Sequence, residues 1–187
     1  MTRNKIVITG AAGFIGSRLA IDFIKSGQEV VLVDKLSHFK TRPQISEVYE
    51  SVKNTEKIDR DEFKIWLEDN QSLCKYIYHL GACTNTFEMN KEYLLEINTQ
   101  YSKQLWKIAT EYEIPFFYAS SAAIYGSGEK GYDDSVSPDV FKPLNPYGLS
   151  KQLFDCWVSN RSEKEKPPIW AGFRFFNVYG FGEKHKG

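Results

Sequence analysis

Tyr147 and Lys151 stand four residues apart in Tyr147-Gly148-Leu149-Ser150-Lys151. On a helix that spacing puts both side chains on one face. The pairing has a chemical use. An ammonium beside a phenol stabilises the phenolate and lowers a pKa ordinarily near about 10. A tyrosine so tuned exchanges a proton with a hydroxyl near neutral pH. Upstream, Ala119-Ser120-Ser121 closes an apolar run, and a serine hydroxyl there can hydrogen-bond a reacting oxygen and support an oxyanion. Ser121 is the expected partner, from the Ala122-Ala123-Ile124-Tyr125-Gly126 that follows, with Ser120 as the alternative. Tyr-x-x-x-Lys alone is a common surface pair; its place after the serine, and after a glycine-rich turn near the start, gives it weight.

That turn is Gly10-Ala11-Ala12-Gly13-Phe14-Ile15-Gly16, with the spacing GxxGxxG. Gly10 permits a tight exit from a strand, Gly13 lets backbone approach a pyrophosphate, and Gly16 lets a helix pack closely. The N-terminus of that helix offers N–H groups and the positive end of a dipole. A strand before, a helix after and Asp34 at the end of the next strand supply the context a dinucleotide site requires. Asp34 favours NAD, through a ribose 2′-hydroxyl. Lys35, Lys40, Arg42 and Arg60 could instead hold a 2′-phosphate and favour NADP.

The elements that must position these residues follow from periodicity. Strands are expected at 5–9, 29–33, 76–80, 114–119 and 169–176. Helices are expected from Phe14 to about Ser26, from Asp59 to Asp69, from Lys91 to Glu111 and from Tyr147 to Asn160. The stretch from Lys35 to Lys57 reads as a long connection with one short helix, and 126–146 as a loop. Alternating strands and helices predict an α/β, doubly wound parallel sheet, a Rossmann fold, as one dinucleotide-binding domain over 1–187.

Bulk properties exclude several classes. The 187 residues carry 24 acidic and 24 basic side chains, for a formal net charge of zero. A polyanion-binding face, as for nucleic acid, is not expected. No apolar run reaches membrane-span length. Met1-Thr2-Arg3-Asn4-Lys5 leads directly into a short apolar run, unlike a signal peptide. Cys74, Cys83 and Cys156 have no metal-ligand or CxxC spacing, so no metal and a cytoplasmic setting are expected.

The glycine turn, 121–126, Tyr147-x-x-x-Lys151 and Phe173-Arg174-Phe175-Phe176-Asn177-Val178-Tyr179-Gly180 together resemble the extended short-chain dehydrogenases/reductases. Gly81-Ala82-Cys83-Thr84, Asn98 to Lys103, Ile114 to Ser121 and His185-Lys186-Gly187 resemble, within them, the ADP-L-glycero-D-manno-heptose 6-epimerase family. The resemblance implies NADP as cofactor, ADP-heptose as substrate, a cytosolic place in lipopolysaccharide core synthesis and a homo-oligomer. It implies that Phe14 and Ile15 meet the pyrophosphate, that Asp34, Lys35, Lys40 and Arg60 surround the adenosine end, and that Leu80, Gly81, Ala82, Cys83, Thr84, Asn98 and Val178 line the cofactor groove. It makes Tyr147 and Lys186 the two acid/base groups, Lys151 the holder of the nicotinamide ribose, and Ser121 and Asn177 substrate contacts. The chain departs from the family at Phe181-Gly182, where Pro-Arg is usual. The family continues beyond Gly187, so a truncated form is expected. The rival readings are another nucleotide-sugar epimerase, dehydratase or reductase, and a non-catalytic dinucleotide-binding module.

Overall fold

A computed structural model describes residues 3–46, 48–180 and 183. Its strands are β1 (Lys5–Thr9), β2 (Glu29–Asp34), β3 (Glu56–Asp59), β4 (Cys74–His79), β5 (Phe116–Ser121) and β6 (Trp170–Phe175). All pair in parallel, in the order β3-β2-β1-β4-β5-β6. This is the doubly wound sheet that the alternation of strands and helices predicts. The order reverses beside β1, and open sheets of this kind bind ligands outside the carboxyl ends of the strands at such a point.

Burial of both sheet faces explains why β1 and β2 read as continuous apolar runs. Val7, Val31, Val33, Ile77 and Phe116 pack on one side with Phe63, Leu67, Leu105, Trp106 and Phe154. Those come from helices α5 (Phe63–Asn70), α7 (Tyr101–Glu111) and α8 (Pro146–Ser159). Ile6, Ile8, Val30 and Leu32 pack on the other side with Ala20 and Ile21 of α1 (Phe14–Lys25).

Three expectations are corrected. The connection after β2 holds three four-residue helices, α2 (His38–Thr41), α3 (Pro43–Ser46) and α4 (Tyr49–Val52). The residues Glu56-Lys57-Ile58-Asp59 then form edge strand β3, so the helix expected from Asp59 begins only at Phe63. The long helix from Lys91 contains a wide, π-type turn over Leu95–Gln100, between α6 (Lys91–Leu94) and α7. That extra residue in the turn rotates Asn98 and Thr99 inward, where both are buried.

Candidate active site

Gly10 leaves β1 with φ +69, and a β-carbon there would stand 2.7 Å from the backbone nitrogen of Gly81. Only glycine allows both the backbone angle and the approach of the loop after β4. The same loop is fixed by side chains. Gly81 N–H donates to Thr9 Oγ1 at 3.0 Å, and Leu80 N–H to the Thr9 carbonyl at 3.2 Å. Asn98 holds Cys83 from both sides, accepting from its N–H at 2.8 Å and donating to its carbonyl at 3.1 Å.

A buried polar chain joins these pieces. His79 Nδ1 lies 2.7 Å from Thr9 Oγ1, and its Nε2 lies 2.9 Å from Ser102 Oγ. Ser102 donates onward to the Asn98 carbonyl at 2.8 Å. With that hydroxyl proton committed, Nε2 carries the imidazole proton and Nδ1 accepts from Thr9. Burial, with a smaller push from Lys151, depresses the His79 pKa to about 3, so the ring is neutral. Sequence reading singled out neither Thr9 nor His79, whose contact spans 70 residues.

The first turn of α1 begins at Gly13, with no side-chain cap and no acidic residue in the turn. The macrodipole end is thus left to an outside anion, as a pyrophosphate site requires. Asp34 closes β2 with three donors on its carboxylate. Ala12 N–H reaches Oδ2 at 3.0 Å, while Lys35 N–H at 2.9 Å and His38 Nδ1 at 2.7 Å reach Oδ1. Arg60 N–H donates to the Asp34 carbonyl, and its guanidinium pairs with Asp61 at 2.8 Å. Lys40 lines a surface pocket with Phe39, Ile45, Ser46 and Tyr49. The cation at the glycine turn is Arg42, whose Nη1 is 3.7 Å from where a Gly13 β-carbon would project.

Tyr147 and Lys151 occupy one face of α8, both buried. Asn145 caps that helix, accepting from Gly148 N–H at 2.7 Å. Ser121 lies near enough to the Tyr147 phenol to act on it, whereas Ser120 donates to Asp155 Oδ2 at 2.7 Å. Lys151 Nζ donates to the Ala119 carbonyl at 3.0 Å. Burial lowers the Lys151 pKa to about 8, against an opposing pull from Asp155 one turn along. Burial also raises the Tyr147 pKa above its ordinary value, with Ser121 working in the other direction. This corrects the expectation of a phenol already lowered by its lysine. Cys83 lies near enough to act on both groups. The structure thus gathers Ser121, Tyr147, Lys151 and the 80–84 loop. Phe14, Ile15 and Val178 share a groove of about 450 Å³ with Arg18, Leu19 and Tyr179, and Asn177 is exposed at its end of β6. Lys186 lies outside the described residues.

A pH dependence follows from the Lys151 position. Its ammonium is present below about 8 and lost as pH rises through that value. If the ammonium holds a ribose, the dinucleotide Kd should weaken above that point by up to about tenfold per pH unit. Calorimetric titrations across the pH range check this, and Lys151→Met should flatten the curve.

Among the described residues no helix is long and apolar enough to cross a membrane, and no cluster of His, Cys, Asp or Glu could hold a metal ion. The pattern of the NAD dependent epimerase/dehydratase family matches residues 6–187. The chain is 40% identical to an ADP-L-glycero-D-manno-heptose-6-epimerase of Fusobacterium nucleatum, over 97% of this chain and 55% of that protein. It resembles the crystal structure of the Helicobacter pylori ADP-L-glycero-D-manno-heptose-6-epimerase, with TM-score 0.76 and 30% identity, over 98% of this chain and 58% of the other. It is similar also to TunA, an NAD dependent NDP-hexosamine 5,6-dehydratase, with TM-score 0.76 and 26% identity, over 95% and 56%. The chain therefore spans a little over half the length of these relatives.

Proposed function

Since the chain belongs to the NAD dependent epimerase/dehydratase family, we propose that it is the cofactor-binding, proton-transferring part of an ADP-heptose 6-epimerase using NADP. The observation that carries this reading is the likeness over 97% of the chain to a relative of that name. The Ser121 and Tyr147 pair, beside a loop whose Gly81 packs on Gly10 and whose Cys83 acts on Tyr147, supplies the matching chemistry. A bound nicotinamide would accept a hydride from C6 of the heptose and return it to the other face. The protein's share is placement and proton transfer. Gly10, Gly13, Phe14, Ile15 and Gly16 would hold the pyrophosphate on backbone N–H groups. Asp34, Lys35, Lys40, Arg42 and Arg60 would surround the adenosine end, and Leu80 to Thr84 with Asn98 and Val178 the remainder. Tyr147 would move the hydroxyl proton, Ser121 would hold the same oxygen, Lys151 would grip the nicotinamide ribose, and Asn177 would touch the sugar. Lys186 would serve as the second acid/base on the opposite face.

Arg42 and Lys35 support NADP over NAD. Arg42→Ala should weaken NADP about tenfold while changing NAD little, as expected for one charge-assisted phosphate contact. Arg60→Ala should cost less, because Asp61 already engages that guanidinium. Calorimetry with both cofactors reads the difference.

The substrate is tested in a protein that joins this chain to the remaining length its relatives have. Supplied with ADP-D-glycero-D-manno-heptose, UDP-glucose or dTDP-glucose, it should convert the heptose alone. Conversion of a UDP- or dTDP-sugar, with the heptose left untouched, would contradict the assignment.

A further inference from the structure

The Asp34 carboxylate is the group at the end of β2 where an adenosine ribose 2′-hydroxyl would donate. Here both of its oxygens are engaged, and the side chain is buried. The Ala12 and Lys35 contacts come from backbone, so they tie the carboxylate to the turn and to its own strand end. The third donor, His38, is a side chain from α2 that bonds Oδ1 at 2.7 Å and remains 29% exposed. It therefore sits at the mouth of the adenosine end rather than in the core. The neighbouring carboxylate, Asp59, is likewise tied down, by Leu36 N–H and Asp61 N–H at 3.0 Å each. The Arg42 guanidinium stands beside Gly13 at the same end.

We propose that His38 is a specificity-determining residue, which caps Asp34 Oδ1 and so opens the adenosine 2′ position to a phosphate. An uncapped Asp34 would offer a lone pair to a 2′-hydroxyl and repel a 2′-phosphate. The imidazole N–H takes that lone pair and covers the oxygen a 2′-hydroxyl would seek. This rests on the reading of the glycine turn as a dinucleotide site.

The test is calorimetric titration of the 187-residue chain with NADP and with NAD. His38→Leu removes the donor at similar volume. Its ratio of NAD to NADP dissociation constants should fall about tenfold, the size of one charge-assisted hydrogen bond. His38→Asn places an amide N–H where Nδ1 stands and should hold the ratio within about threefold of the parent. A His38→Leu ratio within about twofold of the parent would overturn the proposal. So would an Asn variant that falls as far as the Leu variant. A parent that binds neither dinucleotide removes the site and this inference with it. A parent that prefers NAD, but whose ratio still drops in His38→Leu, overturns the choice of NADP and keeps His38 as its determinant.

Discussion

Tyr147→Phe is expected to lower epimerisation by about 10²–10⁴-fold, the usual contribution of a placed proton-transfer group. The substitution keeps the ring that α8 buries and removes only the hydroxyl on which Ser121 acts. Folding and dinucleotide affinity should therefore stay close to parental. Because burial holds the phenol above its ordinary pKa in this structure, the proton is firmly held until charges are added nearby. The Lys151 ammonium alone does not overcome that burial. Lowering the phenol far enough for neutral pH would need the further positive charge of an oxidised nicotinamide beside it. The parent's pH profile should accordingly show the tyrosine titrating only with cofactor present. A loss smaller than about tenfold would take Tyr147 out of the proton transfer. The measurement belongs in a protein with the remaining length of its relatives, following heptose epimers by chromatography.

Gly16→Val is expected to destabilise the fold by about 3 kcal/mol, at the upper end for overpacking. A β-carbon at Gly16 would overlap the Gly10 carbonyl oxygen, and would stand 2.9 Å from its carbon and 3.1 Å from Ala11 Cα. These are backbone atoms, so no rotamer change relieves the contact. Gly10 is itself held against Gly81 and cannot retreat. The strain therefore falls on the packing of α1 against β1. Urea unfolding should show a lower midpoint, and a midpoint unchanged from the parent would contradict the close packing assigned to this turn.

Much of this architecture is legible because it is written in local pattern. Lys5-Ile6-Val7-Ile8-Thr9 and the glycines after it need no distant partner to be read as strand and turn. Strand β3 escapes because it is four residues long, at a sheet edge, with Glu56, Lys57 and Asp59 among them. Charged residues suit an edge and erase the apolar signal of a strand. The π-type turn escapes because it changes which face Asn98 presents without changing the helical period around it. His38 and His79 escape for another reason. Their chemistry lies in partners, Asp34 in one case and Thr9 with Ser102 in the other, that only the folded chain supplies. Lys40 and Arg42 show the limit of counting charges in a loop. Two residues apart, Lys40 lines a surface pocket while Arg42 stands beside Gly13.

The central claim is that the turn from Gly10 to Gly16 cradles a nicotinamide dinucleotide, and Gly13 offers the cleanest test. Gly13 has an ordinary extended backbone, φ −85 and ψ 174, and a β-carbon there would meet only the Gly10 carbonyl oxygen at 3.0 Å and Arg42 at 3.7 Å. A side chain at this position presses on one backbone oxygen, against an overlap and two further close contacts at Gly16, so it should cost far less stability than Gly16→Val and still fill the space a pyrophosphate must enter. Titrating the parent chain and Gly13→Val with NADP and NAD, alongside their urea midpoints, separates the two effects. The account predicts a parent that binds, and a variant that folds but loses at least about 100-fold in affinity for both dinucleotides. A Gly13→Val chain that binds either cofactor as well as the parent does would contradict it.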